Sequence, residues 1–278
     1  MDISFDGFEL GNDRTLTIIG GLNVLESAQQ AVDIAGRFRD TCNGLGLNYI
    51  FKASFDKANR SSIKSYRGPG IDEGLKMLAE VRSVLAVPVL TDIHAPEQAA
   101  PVAQVADVLQ LPAFLCRQTD LVTAMAVTGK PINIKKAQFL AADEMHHIVA
   151  KFREAGNDKV MLCERGTSFG YHNLVVDFLG FPTMKALDVP LVFDVTHALQ
   201  LPGARSDSAG GRRALTLGLA RAGVAQGIAG LFMETHPQPD KALCDGPCAL
   251  PLDVLPGFLE QIKALDTLVK QQPDLDIR

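Results

Sequence analysis

Apolar positions along the chain fall into two alternating patterns. Short runs rich in β-branched and aromatic residues, bounded by turn-forming residues, occur at Leu16–Gly21, Tyr49–Ser54, Pro88–His94, Val108–Ala113, Pro131–Lys136, Lys159–Arg165, Leu191–His197 and Gly230–His236. Between and after them, apolar residues recur at helical spacing over Ala28–Leu45, Asp72–Leu85, Glu97–Ala103, Thr119–Thr128, Ala142–Ala155, Leu174–Lys185, Gly210–Gly223 and Asp253–Lys270. The first pattern is that of buried strands and the second that of amphipathic helices. Eight strand-helix units in alternation predict an α/β protein with a (β/α)8 TIM barrel. An open doubly wound sheet needs a Gly-rich phosphate turn after its first strand, and Gly20-Gly21-Leu22-Asn23 is a poor match to one. Residues 1–15 stand outside the repeat. There the alternation in Ile3-Ser4-Phe5, with a turn at Gly11-Asn12-Asp13, predicts a short N-terminal β-hairpin covering the bottom of the barrel. No linker or change of composition interrupts residues 1–278, which are read as one domain.

Composition narrows the class. Hydrophobic residues are 47% and charged residues 21%, which excludes disordered and fibrous chains. Lys plus Arg total 27 against 32 Asp plus Glu, a net charge of −5 that argues against nucleic acid as a partner while leaving room for a small anionic ligand. No apolar run approaches the roughly 18–20 residues that span a bilayer. The cysteines number five, and the opening Met-Asp-Ile-Ser-Phe lacks the features of a signal peptide. The expectation is a cytoplasmic protein with free thiols.

In such a barrel the site is built at the C-terminal strand ends, and reactive residues gather there. Asn23, Glu26 and Ser27 follow the first strand. Lys52 and Ser54 end the second, with Asp56, Lys57, Asn59, Arg60 and Ser61 just beyond. Asp92 and His94 end the third, Arg117 follows the fourth, and Lys135, Lys136 and Gln138 follow the fifth. Glu164 and Arg165 end the sixth, Asp194 and His197 the seventh, and Glu234 and His236 the eighth, with Asp245 beyond. Any one strand-end lysine is ordinarily a solvated residue. Lys52, Lys57, Arg60, Lys135, Lys136 and Arg165 converging on one mouth would repel one another unless they met anions, which phosphate and carboxylate groups of a substrate pair would supply.

A second reading makes His197, Glu234 and Asp245 ligands of a divalent metal. The first strand ends in Asn23, whose amide is a weak ligand, so that set is incomplete. Cys244-x-x-x-Cys248 resembles half a zinc site without its second pair, and free thiols are favoured. Gly210-Gly211-Arg212-Arg213 reads either as an anion-binding helix start or as a plain junction. His146-His147 reads as a surface pair. Gly68-Pro69-Gly70 and the segment Gly203 to Gly211 are candidates for loops that close over the site, or for mobile surface loops.

These residues carry a resemblance. The stretches Gly20-Gly-Leu-Asn-Val-Leu-Glu-Ser27, Phe51-Lys-Ala-Ser-Phe-Asp-Lys-Ala-Asn-Arg-Ser-Ser62, Gln110-Leu-Pro-Ala-Phe-Leu-Cys-Arg-Gln-Thr-Asp120, Phe193-Asp-Val-Thr-His197 and Cys244-Asp-Gly-Pro247 resemble the 3-deoxy-D-manno-octulosonate 8-phosphate synthase family. The likeness runs from about residue 15 to 270. It implies condensation of phosphoenolpyruvate with D-arabinose 5-phosphate and water, an early step toward lipopolysaccharide, and it agrees with the cations counted independently. It further implies that Lys52, Ser54, Lys57, Lys135, Gln138, Arg165 and the backbone near Ala113 surround phosphoenolpyruvate. Asn59, Arg60 and Ser61 would surround arabinose 5-phosphate, its phosphate near Arg60, Ser61 and Arg117 of a neighbouring subunit, because family members are typically homotetramers, and Asp92 would meet sugar hydroxyls.

In the implied mechanism C3 of phosphoenolpyruvate attacks the aldehyde while water adds at C2, and the intermediate then expels phosphate. His197 would position or deprotonate the water and Lys135 would protonate the aldehyde oxygen. The family's metal-dependent branch carries cysteine at the position of Asn23. Asparagine there implies catalysis without metal or other cofactor, with Asn23 hydrogen-bonding and His197, Glu234 and Asp245 kept as a polar cluster. Competing readings are condensation with erythrose 4-phosphate or an amino sugar, a non-catalytic phosphosugar sensor, and a Schiff-base aldolase.

Overall fold

The computed structural model describes residues 1–203, 210–273 and 275. Eight parallel strands close into a barrel: β1 Thr17–Val24, β2 Asn48–Ser54, β3 Val89–Asp92, β4 Val108–Leu111, β5 Ile132–Lys135, β6 Val160–Glu164, β7 Leu191–Asp194 and β8 Gly230–His236. Each pairs with the next, and β8 pairs with both β7 and β1. Helices α1 Ala28–Leu45, α2 Ile71–Leu85, α3 Ala99–Val105, α4 Thr119–Ala126, α5 Met145–Glu154, α6 Gly180–Lys185, α7 Thr216–Val224 and α8 Leu255–Gln271 follow the strands in turn. The expected barrel is present.

Strand pleating decides what faces the barrel axis, because successive side chains point to opposite faces. Ile19, Ile50, Leu90, Val108, Met161, Cys163, Val192 and Phe232 form an apolar cluster of their own inside the barrel, apart from the larger core shared with the helices. Two residues further along their strands stand Lys52, Asp92, Gln110, Arg165, Asp194 and Glu234. The same period therefore stacks a polar layer directly above an apolar one.

The N-terminal hairpin seals the other end. Ile3–Phe5 pairs antiparallel with Phe8–Leu10, and Ile3 and Leu10 join the inner apolar cluster. Its turn is Asp6-Gly7, with Gly7 at φ +84°, rather than the expected Gly11-Asn12-Asp13. Asn12 instead anchors the hairpin: its amide donates to Val189 O and its Oδ1 accepts from Leu191 N at the start of β7.

Local signals explain the best-predicted helix. Ser27 caps α1 by accepting from Gln30 N at 3.2 Å, and Gly46 ends it at φ +64°. The expected boundaries Ala28–Leu45 match those observed. The sixth and seventh helices begin later than their apolar spacing suggests. Leu174–Val175 pairs with Thr167–Ser168, and Gly210–Gly211 with Gln200–Leu201, so these segments are small hairpins over the mouth, and α6 and α7 start at Gly180 and Thr216. Gly68 and Gly70 are held against Phe55 O, while residues 204–209 of the other candidate loop lie outside the described residues.

Gly21 permits the close approach of β1 to β2, since a Cβ there would lie 2.2 Å from the carbonyl oxygen of Lys52. Crowding a packed interior typically costs about 1–3 kcal/mol, which in a chain of this size is a loss of roughly 3–10 °C in Tm. Gly21→Ala should show that loss in a thermal melt. Gly218→Ala, in α7 with open space around it, should shift Tm by no more than about 2 °C.

Candidate active site

Two hydrogen-bonded groups line the top of the barrel. In the first, Lys52 on β2 donates to Glu234 Oε1 on β8 at 2.7 Å and to the carbonyl of Asn23 at 3.1 Å. The Asn23 amide donates to Glu234 Oε2 at 2.5 Å and to Asp245 Oδ2 at 3.0 Å. A register shift between Gly21 and Val24 near the end of β1 positions Asn23 there. Asp245 also accepts from Gln200, whose Oε1 accepts from Arg165 Nη2 at 2.7 Å. In the second group Asp194 Oδ2, at the end of β7, lies 2.5 Å from Lys135 Nζ and 2.7 Å from His197 Nδ1. Lys135 Nζ also sits 3.2 Å from the ring centre of Phe232, a cation–π contact that floors the site.

Above these groups opens a cavity of about 430 Å³. The loop after β2 forms one wall and is stapled by Lys57 N to Arg67 O, by the fork of Arg67 on Asp56, and by Tyr66 OH to Leu25 O. It presents Lys57, Asn59, Arg60 and Ser61. The opposite wall brings Lys135, Gln138 and Arg165, with Asp92, Ala113, His197 and Asp245 completing the expected lining. Arg60 touches the Cys244 sulfur, and buried polar atoms of Arg60, Asp92, Gln138 and Arg165 lack a protein partner among the described residues.

The expectation for Lys136 is corrected, and the other residues take the following places. Lys136 does not face the cavity: it is one residue out of phase with Lys135, and its ammonium is buried between β5 and β6, bonded to Leu140 O at 3.1 Å and Thr167 Oγ1 at 3.0 Å. Its neighbour Glu164, 3.6 Å away, accepts from the backbone of Arg165 and Gly166. The pair thereby shapes the turn that carries Arg165. Asn23, Ser54 and Glu234 are buried in the layer beneath the cavity, and Glu234 and Asn23 act on it through Lys52 and Asp245. Arg117 lies on the outer surface, in a separate groove with Glu144, His147 and Lys151. Arg212 and Arg213 are not presented to an anion at a helix start. They tie down Asn173, Leu174, Asp240 and the carbonyl of Gly246. All five cysteines are free and buried.

Asp194 and Gln200 join the hydrogen-bonded groups of the site although the sequence assigned neither a role. Asp194 stands at a strand end and within the stretch Phe193-Asp-Val-Thr-His197, and its place two residues beyond apolar Val192 marks it as inward-facing. Gln200 carries no signal in the sequence.

Fold and site together define a class: a (β/α)8 barrel whose C-terminal mouth is arranged to hold anionic small molecules. The chain belongs to the DAHP synthetase I family, whose model matches residues 2–271. Among its curated relatives, the 2-dehydro-3-deoxyphosphooctonate aldolases of Marinobacter nauticus and Hahella chejuensis are each 61% identical, covering 99% of this chain and 98% of theirs. That of Azotobacter vinelandii is 62% identical over 96% of this chain and 95% of its own.

Burial and charge oppose each other throughout the site. Burial alone would raise the pKa of Asp194, but His197 and Lys135 outweigh it and hold the carboxyl well below its usual range. Glu234 is likewise brought down to about 2 against its burial, by His197, Lys52 and Lys57. Burial lowers Lys52 and Arg165. Lys57 is raised, because Glu234, Asp92, Cys244 and Asp245 outweigh its burial. A depressed carboxylate contributes stability that is present above its ordinary value of 4.5 and is lost as pH falls toward 2. Glu234→Gln, which leaves the buried Lys52 ammonium uncompensated, should cost roughly 3 kcal/mol at pH 7. In urea unfolding from pH 7 to 2.5, the gap between wild type and variant should narrow with falling pH; a constant gap would contradict this assignment.

Proposed function

We propose that this chain condenses phosphoenolpyruvate with D-arabinose 5-phosphate and water, giving 3-deoxy-D-manno-octulosonate 8-phosphate and inorganic phosphate in lipopolysaccharide biosynthesis. It is a transferase. The observation that carries this reading is the arrangement of cations around one cavity, in a chain 61% identical over its full length to aldolases whose name specifies the eight-carbon product. Lys52 and Lys57 come from β2 and its loop, and Arg165 from the end of β6, across the barrel. A phosphate and a carboxylate seated on the axis are reached from both sides. Asn59, Arg60 and Ser61 lie further out, where a second phosphorylated substrate extends toward solvent.

Phosphoenolpyruvate's C3 is a weak nucleophile, so the site acts by holding C3 against the aldehyde and by placing charge where it develops. His197 lines the cavity, and its Nε2 takes a proton from the water that adds at C2. Lys135 protonates the aldehyde oxygen. Asn23 and Asp245 hold the polar cluster beneath.

The residues at the top of β1 and β8 do not suit a divalent metal. Glu234 and Asp245 already accept hydrogen bonds from the Asn23 amide, and Glu234 pairs with the Lys52 ammonium. An amide N–H is a donor and not a ligand. Catalysis here is therefore metal-independent.

The reading also makes the molecule a cytoplasmic homotetramer in which Arg117, on the outer surface, reaches the sugar phosphate in a neighbouring subunit. Phe114, Phe139 and Phe169, large apolar residues left exposed in the isolated chain, support a buried contact there. Among the described residues no helix is long and apolar enough to cross a membrane.

Inorganic phosphate release should occur with phosphoenolpyruvate and arabinose 5-phosphate after exhaustive chelation, and not with erythrose 4-phosphate or without sugar. Activity lost on chelation and restored by manganese would overturn metal independence while keeping the reaction. Release with erythrose 4-phosphate alone would reassign the substrate, and silence throughout would favour a phosphosugar sensor. Arg117→Ala should raise the KM for arabinose 5-phosphate at least tenfold and leave that for phosphoenolpyruvate within twofold, by roughly one lost charge-assisted contact.

A further inference from the structure

Asp194 is buried at the end of β7, and one of its oxygens is shared. Oδ2 lies 2.5 Å from Lys135 Nζ and 2.7 Å from His197 Nδ1, while Oδ1 accepts from the His197 backbone N–H at 2.9 Å. Since an ionised carboxylate only accepts, His197 must carry a proton on Nδ1. Its Nε2 stands 3.6 Å from Glu234 Oε2 and 4.0 Å from Asp245 Oδ2, and the residue lines the cavity. The Phe232 ring lies beneath Lys135 and 6.0 Å from the His197 ring, so the triad rests on an apolar floor. One carboxylate oxygen thus joins the two groups to which the reaction assigns proton transfer.

We propose that Asp194 is the positioning residue that couples Lys135 to His197, so that one positive charge passes from one side of its Oδ2 to the other and back in each turnover. The inference rests on the reading of His197 as base and Lys135 as acid. The proposed cycle starts from the Lys135 ammonium and the neutral His197 imidazole. As the C3–C1 bond forms, Lys135 gives a proton to the aldehyde oxygen and becomes an amine. Water adds to C2, and its released proton goes to His197 Nε2, which becomes imidazolium. Asp194 faces one cation before this step and one after it, so its Oδ2 is never left between two cations or with none. In the collapse, the C2–O–P linkage breaks at the C–O bond. The imidazolium protonates the departing phosphate oxygen, and the C2 hydroxyl proton returns to the Lys135 amine as the ketone forms. Every proton is accounted for, and both side chains are restored.

The test is Asp194→Asn, which keeps the shape and the Oδ1 acceptor for His197 N but presents N–H groups or a neutral oxygen to the coupled pair. Positioned acid–base groups contribute about 10²–10⁴ in rate. The expected result is a kcat loss in that range with both KM values within threefold, in a protein that folds but melts lower than wild type because the buried Lys135 ammonium loses its carboxylate. In ¹⁵N NMR, the His197 ring, assigned by its loss in His197→Ala, should be the Nδ1–H tautomer in the wild type and switch to Nε2–H in Asp194→Asn. The double variant Asp194→Asn/His197→Ala should be no slower than the slower single variant, as expected of groups that act as a unit. A kcat within tenfold of wild type, or an Nε2–H tautomer in the wild-type protein, overturns the coupling; the second measurement stands even if the variant does not fold. Should His197→Ala and Lys135→Ala themselves retain near-normal turnover, it is the underlying acid–base assignment that fails.

Discussion

Taking a charge out of water costs several kcal/mol unless a partner goes with it, and the mouth of this barrel buries Lys52, Lys135, Asp194 and Glu234 together. The structure tolerates this because the charges are linked rather than merely near one another. From Lys52 the chain of contacts runs through Glu234, Asn23, Asp245 and Gln200 to Arg165, joining elements on both sides of the barrel. A second set joins Lys135, Asp194 and His197. Buried polar atoms left without a partner among the described residues include those of the cavity-lining Asp92, Gln138 and Arg165, while the shared bonds hold the strand ends in one arrangement. That rigidity is also what catalysis by preorganised charge requires, because donors already fixed need no reorganisation when charge develops.

The apolar layer beneath has its own part in this. The hairpin residues Ile3 and Leu10 close the bottom of the barrel, and Phe232 closes the floor of the site. Water is kept from below, and the effective dielectric around Asp194 falls, which strengthens its hold on Lys135 and His197. A hairpin at one end of the molecule thereby bears on the chemistry at the other. It does so by the packing of one continuous interior and requires no movement.

The barrel was legible in the sequence because alternation of buried strands and amphipathic helices survives small errors in boundary. Site residues were legible to the extent that strand ends were. Lys135 and Lys136 mark the limit: both end the same strand with the same charge, yet pleating sends one to the cavity and the other to the space between strands, where Thr167 and the Leu140 carbonyl satisfy it. On β5 the inward phase is polar, Asn133 and then Lys135, while Ile132, Ile134 and Lys136 share the outward one, so apolar residues give no guide there; on β7 the count from Val192 singles out Asp194. The small hairpins at Leu174–Val175 and Gly210–Gly211 were not legible, since two-residue strands take their identity from the partner they meet. Gln200 was hidden for the same reason: it matters through Arg165 and Asp245, both distant in sequence.

Asn23 shows how one side chain sets the character of the whole site. Glu234 Oε2 and Asp245 Oδ2 both accept from its amide, so two carboxylates are held close without a proton between them. The amide supplies two N–H donors from a group with no net charge, and Lys52 supplies the positive charge from the other side. A side chain without donors at this position would leave the two carboxylates facing one another across a buried space, and one of them would then have to take up a proton or a cation. The requirement is electrostatic and independent of the substrate. The local kink at the end of β1 delivers the amide to that point, while the charges of His197, Lys52 and Lys57 bring the Glu234 pKa down to about 2 against its burial.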